Sequence, residues 1–505
     1  MERSKDFKQR RERFFRLPPQ GRSITEVQTE FDIAKERFPV VGDEQFAKPG
    51  TLPDPAALDL AFDMVRTRNP NLVEPSMFLG AWEIEREAVS MIAELFNHPN
   101  YSQQGYNPNG NPVNPVLGWF TDGGTSSILQ ASWALRNKYF SQLQSKRHYS
   151  LEEDIIREEG WLGLVRKGIV DQNKPPVILA PVDMHFAGDK CVDILGIGSR
   201  NIVRYDLRES YQTDYPQLET IITNLRKEKR EVLFAFVSAG AVDTGRVENV
   251  EEFANTLAKA DCPAPVIVDA AQQFLLLALL SGQYPAWDFR VKAVEAIIAD
   301  PHKTDASPYP GSLVIFKDKE IARYTRSIAG YLHNTDALDF DLKETWNLMP
   351  SFHTSRSPIG AVCTWAHLLL QGKEKLIERY QQLMDFTNTI ADYIKNSEYY
   401  SLISTPQTAI IPFHVKSFVD NKAERVYQEF VNTREEPRFY ISFADCLRLR
   451  TSIDHNDYEL KKKADPLNKF LGYGGLYIQI MQHTTPELVD KLIERLEMVG
   501  KKVMG

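Results

Sequence analysis

The chain has 505 residues, 43% hydrophobic, 11% aromatic and 25% charged, a globular composition that excludes collagen-like, coiled-coil and wholly disordered chains. At roughly 100–200 residues per domain, this length predicts two to four domains with room to bury a deep site. A formal net charge of −8 argues against a nucleic-acid binder held by phosphate contacts.

The first fifty residues differ from the rest. Arg3, Lys5, Lys8, Arg10, Arg11, Arg13 and Arg16 mix with Glu2, Asp6 and Glu12, and Pro18, Pro19, Pro39 and Pro49 follow. The acidic residues count against a targeting peptide, and no apolar signal core is present, which leaves a solvated helix or an arm packed on a partner subunit. From about residue 80 helices and strands alternate. Residues 82–96 carry apolar groups at helical spacing, and a Gly-Gly-Thr turn opens a second helix over 125–139. β-Rich runs begin near 176, 201, 231, 265 and 296, separated by helical stretches at 217–228 and 250–259. This alternation implies a parallel sheet with helices on both faces. Residues 327–355 read as a long irregular segment, of the kind that forms lids or linkers. Helices over 360–370 and 373–395 follow, then a smaller α+β unit ending in a helix over 486–499.

Cys191, Cys262, Cys363 and Cys446 lie far apart with no C-x-x-C pair. They form neither a disulfide framework nor a zinc site, and they suit a reducing compartment. The longest apolar run, 274–280, is far short of the about 20 residues that span a bilayer. A cytoplasmic protein with no metal, no membrane contact and no nucleic-acid partner is expected.

Open parallel sheets place ligands beyond the carboxyl ends of their strands, and three features fall there. The turn at Gly123, Gly124 and Thr125 feeds a helix whose free N–H groups favour a phosphate, or it is a plain helix cap. Asp269 ends an apolar run, where a carboxylate needs either a cationic partner, such as a protonated ring nitrogen, or a helix to cap. Lys303 follows the buried run 296–299, where partial desolvation would lower its pKa and make it an amine nucleophile; otherwise it is a surface lysine.

The order Gly-Gly-Thr, His185, Ser238-Ala239-Gly240, Asp269-Ala270-Ala271 and Asp300-Pro301-His302-Lys303 resembles the group II pyridoxal-phosphate-dependent decarboxylases over roughly residues 75 to 370. The resemblance implies the fold-type-I transferase fold, with pyridoxal 5′-phosphate as cofactor. Its parts would be an N-terminal arm (1–75), a large cofactor domain with a mostly parallel sheet (76–345) and a smaller C-terminal α+β domain (346–505). Lys303 would carry the cofactor as its internal aldimine, Asp269 would pair with the pyridine nitrogen, and His185 would stack on the ring. Ser238 would lie near the ring oxygen, Ala271 under the ring face, Gly124 and Thr125 at the phosphate, with His302 reaching toward it. The implied reaction is decarboxylation of an L-amino acid to an amine and CO₂ through an external aldimine and a quinonoid carbanion, in a homodimer. Tyr331-Leu332 resembles a mobile-loop pair whose tyrosine takes part in protonation; otherwise Tyr331 is a packing or surface group.

The chain also departs from the pattern. Ser126 replaces a glutamate after the glycine turn, and Gln272, Gln273 and Phe274 replace an aromatic residue and glycines. Leu476 stands where an arginine is expected for the substrate carboxylate, leaving Arg356, Arg448 or Arg450 as substitutes. A second resemblance, through residues 124–129 and 288–292, is to sphingosine-phosphate lyases, and Thr354-Ser355-Arg356 fits either branch. Those enzymes carry a lysine where this chain has Pro310. A cofactor-binding member without activity is the third alternative.

Overall fold

The computed structural model describes Gln20 and residues 22–35, 53–74, 77–100, 105–106, 112–113, 116–149, 154–208, 211–327, 350–416, 422–431, 439–444 and 475–505. The chain divides into two compact units, 1–41 and 42–505. In the first, the helix Ile24–Lys35 opens on a reciprocal cap: the Ser23 N–H donates to Glu26 at 2.8 Å and the Glu26 N–H donates to the Ser23 hydroxyl at 3.3 Å. This arrangement satisfies N–H groups that a helix start leaves without partners. The basic residues 3–16 lie outside the described residues.

The second unit is built on a seven-stranded sheet. Its strands are β1 (Leu117–Thr121), β2 (Val177–Pro181), β3 (Ile202–Tyr205), β4 (Val232–Ser238), β5 (Val266–Asp269), β6 (Val294–Ala299) and β7 (Ser312–Phe316). They lie in the order β1-β7-β6-β5-β4-β2-β3. β2 through β6 pair in parallel, whereas β7 runs antiparallel to both β6 and β1. Along β2, Val177 and Leu179 enter one core cluster and Ile178 and Ala180 the other. A strand covered on both faces reads as a continuous apolar run, because alternate side chains point to opposite cores. β1 and β7 are such runs, and the sequence reading passed over both.

Helices α1 (Leu79–Leu95), α2 (Gly124–Lys146) and α4 (Val250–Lys259) fall where periodicity placed helices, whereas α3 (Phe186–Ile194) adds one that it did not. The helix Pro55–Arg68 was not anticipated, since this stretch read as an arm. Asp54 caps it by accepting the Ala56 and Ala57 N–H groups, Pro55 occupies its first turn, and Ala61 packs on Val362 and Cys363.

Beyond residue 358, helix α5 (Ile359–Asn396) combines the two expected helices. Gly372, at φ 68° and ψ 162°, breaks its helical geometry. A smaller sheet follows, with β8 (Tyr400–Leu402), β9 (Ile410–Val415), β10 (Ser442–Ala444) and β11 (Gly475–Gln479) in the antiparallel order β8-β9-β11-β10. Helices α6 (Lys422–Val431) and α7 (Pro486–Met504) pack with it. Most of the irregular segment 327–355 lies outside the described residues. Among the described residues, no helix is long and apolar enough to cross a membrane, and Cys191, Cys262 and Cys363 are free thiols.

The backbone at Gly372 lies in a region essentially restricted to glycine, although a Cβ there would meet open space. Gly372→Ala should therefore lower stability by about 1–3 kcal/mol through backbone strain alone. A lower urea midpoint at unchanged slope would show this, and an unaltered midpoint would refute it.

Candidate active site

Because all strands of the large sheet except β7 run one way, their carboxyl ends form a single edge, and a cavity of about 310 Å³ lies along it. Each lining group arrives from the end of a different strand. β1 delivers Asp122, Gly123, Gly124 and Thr125; β2 delivers Asp183 and His185; β4 delivers Ser238 and Gly240; β5 delivers Asp269, Ala271 and Gln272. β6 supplies Asp300, His302 and Lys303, and Tyr309 precedes the antiparallel β7. Thus Gly124, Thr125, His185, Ser238, Asp269, Ala271, His302 and Lys303, picked out in the sequence, all line one cavity. Tyr331 lies outside the described residues.

At the β1 end, helix α2 begins at Gly123, and no side chain caps it. Its first N–H groups border the cavity, the arrangement that suits an anion. Gly124 has to be glycine: a Cβ there would lie 2.7 Å from the Asp300 carboxylate.

The Lys303 amine lies 2.8 Å from Asp300 Oδ2, with its side chain 20% exposed. The expectation of a lowered lysine pKa is corrected here. Burial does pull the ammonium down, but the Asp300 carboxylate, helped by Asp269, more than offsets it, and the pKa is raised above its ordinary 10.5. Asp300 in turn accepts the Ser312 hydroxyl from β7.

Asp269 pairs in register with Ser238 on β4 and Ile298 on β6. Burial raises its carboxyl pKa, while Lys303 and His185 pull it down. Among the described residues it accepts one hydrogen bond, from the Ala271 N–H at 3.1 Å. His185 caps helix α3, its Nδ1 accepting the Ala187 N–H at 3.2 Å. Since a backbone N–H can only donate, the proton of the neutral ring sits on Nε2. Burial lowers the His185 pKa, which keeps that neutral form. His302 packs its ring 4.1 Å from Tyr309, and its Nδ1 accepts the Gly311 N–H at 3.3 Å.

The departures from the motif pattern separate in space. Gln272 lines the cavity, whereas Gln273 does not: its Cβ lies 2.6 Å from where a Cβ on Gly240, at φ 87°, would stand. Leu476 is fully buried in β11, opposite Phe413 and Phe443. Arg356 is not a substitute for the missing arginine, because its guanidinium is committed to Glu85 and to the carbonyls of Phe120 and Leu72. Arg448 and Arg450 lie outside the described residues.

One group of functional weight escaped sequence reasoning. Arg246, fully buried, donates to both carboxylate oxygens of Asp183 at 2.8 Å and to Glu248 at 2.8 Å. Glu248 also accepts the hydroxyls of Thr213 and Tyr215.

A family model described as the pyridoxal-dependent decarboxylase conserved domain matches residues 69–416. The chain belongs to this family. The matched span exceeds the stretch over which the sequence resemblance was drawn, extending into β9. A probable L-tyrosine/L-aspartate decarboxylase of Methanothermobacter thermautotrophicus is 25% identical over 381 residues, covering 74% of this chain and 83% of that one. Sphingosine-1-phosphate lyase 1 of Rattus norvegicus is 27% identical over 353 residues, covering 69% of this chain but 51% of its own. Among solved structures, Oryza sativa TDC with PLP and tryptamine superposes with a TM-score of 0.74 at 15% identity, over 98% of this chain and 91% of that one. That likeness is one of fold, the fold-type-I architecture.

Family membership makes the chain a pyridoxal-phosphate-dependent decarboxylase, and the residues present fit that cofactor. The uncapped start of α2 suits its phosphate, Asp269 suits its ring nitrogen, and Lys303 supplies an amine in the same cavity.

A pH dependence follows from His302. Burial is the main cause of its lowered pKa, only partly opposed by Asp300. The unfolded chain therefore binds a proton near the ordinary 6.5 that the folded chain resists, so this contribution to stability is present above 6.5 and lost below it. In the cofactor-free protein, the difference in urea midpoint between wild type and His302→Gln should shift against wild type as the pH falls from about 8 to about 5. A constant difference over that range would count against the assignment.

Proposed function

We propose that this protein removes the α-carboxylate of an L-amino acid as CO₂ and releases the corresponding amine. The observation that carries this reading is the convergence of Lys303, Asp269 and His185 on one buried cavity beside an uncapped helix start. Bound pyridoxal phosphate supplies an electron-accepting ring conjugated to a carbon that amines attack. The chain's own residues do the rest. Lys303 would hold the cofactor through its amine, and Asp300, 2.8 Å away, accepts a hydrogen bond from that amine when it is free. Asp269 holds a proton on the ring nitrogen, keeping the ring able to take up electrons. His185 presents its Nε2–H to the cavity as a neutral donor. Ala271 leaves room for a flat ring, and the α2 N-terminus orients the phosphate. In this reading Tyr331 delivers the proton that replaces CO₂ at the α-carbon.

Relatives named as L-tyrosine/L-aspartate and L-aspartate decarboxylases support this reading and set the first substrates to try. A cytoplasmic homodimer and a division into arm, cofactor domain and small domain, as the resemblance implies, belong to the same proposal. The lyase reading draws support from the sphingosine-1-phosphate lyase match and is set against Pro310, where those enzymes carry a lysine.

Purified protein should be yellow, and Lys303→Ala should abolish the visible absorbance of the lysine-bound cofactor. With L-tyrosine, L-aspartate and the other L-amino acids, wild type should release CO₂ and amine in equal amounts. Release of a long-chain aldehyde and phosphoethanolamine from a phosphorylated sphingoid base would instead support the lyase reading, and cofactor binding without turnover on either panel would support an inactive member. Tyr331→Phe should lower amine yield and raise carbonyl by-products, through misplaced protonation. A normal yield free of by-products would remove Tyr331 from that role.

A further inference from the structure

We infer that Arg246 is a positioning residue for the cavity, clamping the turn that carries His185 to the turn that follows β4. The inference rests on the reading that this cavity is where decarboxylation occurs. Arg246 lies behind the cavity wall, out of reach of a ligand, yet it is bonded to both sides of that wall. Its guanidinium grips Asp183 through Nε and Nη2, both at 2.8 Å. Asp183 lines the cavity two residues before His185. The backbone carbonyl of Arg246 accepts the N–H groups of Gly240 and Ala241, each at 2.9 Å, and these residues line the cavity too. The third arm of the fork reaches Glu248, whose own N–H donates to the carbonyl of Ser238, another lining residue.

The β2–α3 turn is also braced from β3, where Arg204 donates to the Pro181 carbonyl at 3.1 Å and to Asp189 at 2.6 Å. Val182 donates to Tyr205 and Met184 to Pro181 through the backbone, and the Asp183 side chain ties that turn to the stretch that follows β4. A planar fork with fixed donor directions sets the angle of the carboxylate it binds, which a point charge does not. The His185 ring is oriented locally by the Ala187 N–H, which donates to Nδ1, and by the Phe186 ring 4.2 Å away, while the Arg246–Asp183 clamp places the turn that carries it. Arg246→Lys keeps the charge and removes the fork, so it separates the two.

The test uses the full-length protein with pyridoxal phosphate bound, in three forms: wild type, Arg246→Lys, and the triple variant Asp183→Asn/Arg246→Gln/Glu248→Gln, which removes all three charges of the cluster and so avoids a lone buried ion. Protein labelled with [15N]histidine reports His185 directly, its signals assigned by their loss in His185→Gln. Wild type should show distinct acceptor and donor ring nitrogens. In whichever variants fold, these should move toward the average of a freely exchanging ring, with kcat down about tenfold or more and KM changed less than about threefold. Unchanged His185 nitrogen signals and unchanged kcat in a folded variant would overturn the clamp, as would a loss confined to KM. Should wild type release no amine from any amino acid, the decarboxylase reading fails while the nitrogen signals still decide the clamp. If neither variant folds, Asp183→Asn alone, which keeps a hydrogen-bond acceptor for the fork, gives the same readout.

Discussion

Asp300 is a negative charge at the end of an apolar strand, and much of the local architecture serves to keep it there. A buried carboxylate without partners would be costly, and this one is met from several directions. Lys303 approaches at 2.8 Å, Ser312 donates from β7, and its own N–H reaches the Ala271 carbonyl. Gly124 brings the start of α2 against it without a Cβ in the way. The ends of β5, β6 and β7 are thereby tied together at one residue, with the start of α2 packed against it.

The same economy explains why acidic residues are tolerated around a cavity suited to a phosphate. Asp122, Asp183, Asp269 and Asp300 all line it, but three of the four are matched by a specific side chain. His353 Nε2 lies 3.1 Å from Asp122, Arg246 takes Asp183, and Lys303 takes Asp300. Asp269 is the carboxylate left facing the cavity with one backbone donor among the described residues. Local pairing, rather than net charge, therefore decides where a cationic ring fits. An overall charge of −8 says little about the sign of any single pocket.

What the sequence disclosed follows from how locally each feature is encoded. Short motifs whose residues stand at a strand end carry their own structural context, so Lys303, Asp269, His185 and the Gly124–Thr125 turn were legible together with the parallel sheet. β1 and β7 were passed over although they are buried like β2, which was read; Gly118 interrupts the run in β1. The helix Pro55–Arg68 was obscured by the prolines around it, although Asp54-Pro55 is itself a start signal. Partnerships across long separations were the least visible. Nothing near Arg356 announces Glu85, and nothing near Arg246 announces Asp183, because side-chain pairing depends on the tertiary fold. The lysine pKa failed for a different reason: burial was foreseen, but its partner three residues away was not weighed as a counter-ion.

The reversal of β7 has a further consequence. It brings the chain back to the edge that β6 has just left, so residues 300–311 form a bend anchored in strands at both ends. The bend is cross-braced: Thr304 donates to Pro301, Ala306 donates to Thr304, His302 donates to Gly311 and accepts from it. The lysine thus stands on a post rather than a hinge. Whatever motion admits a substrate and releases a product has to come from the other walls, and the reactive amine is the fixed point against which that motion is measured.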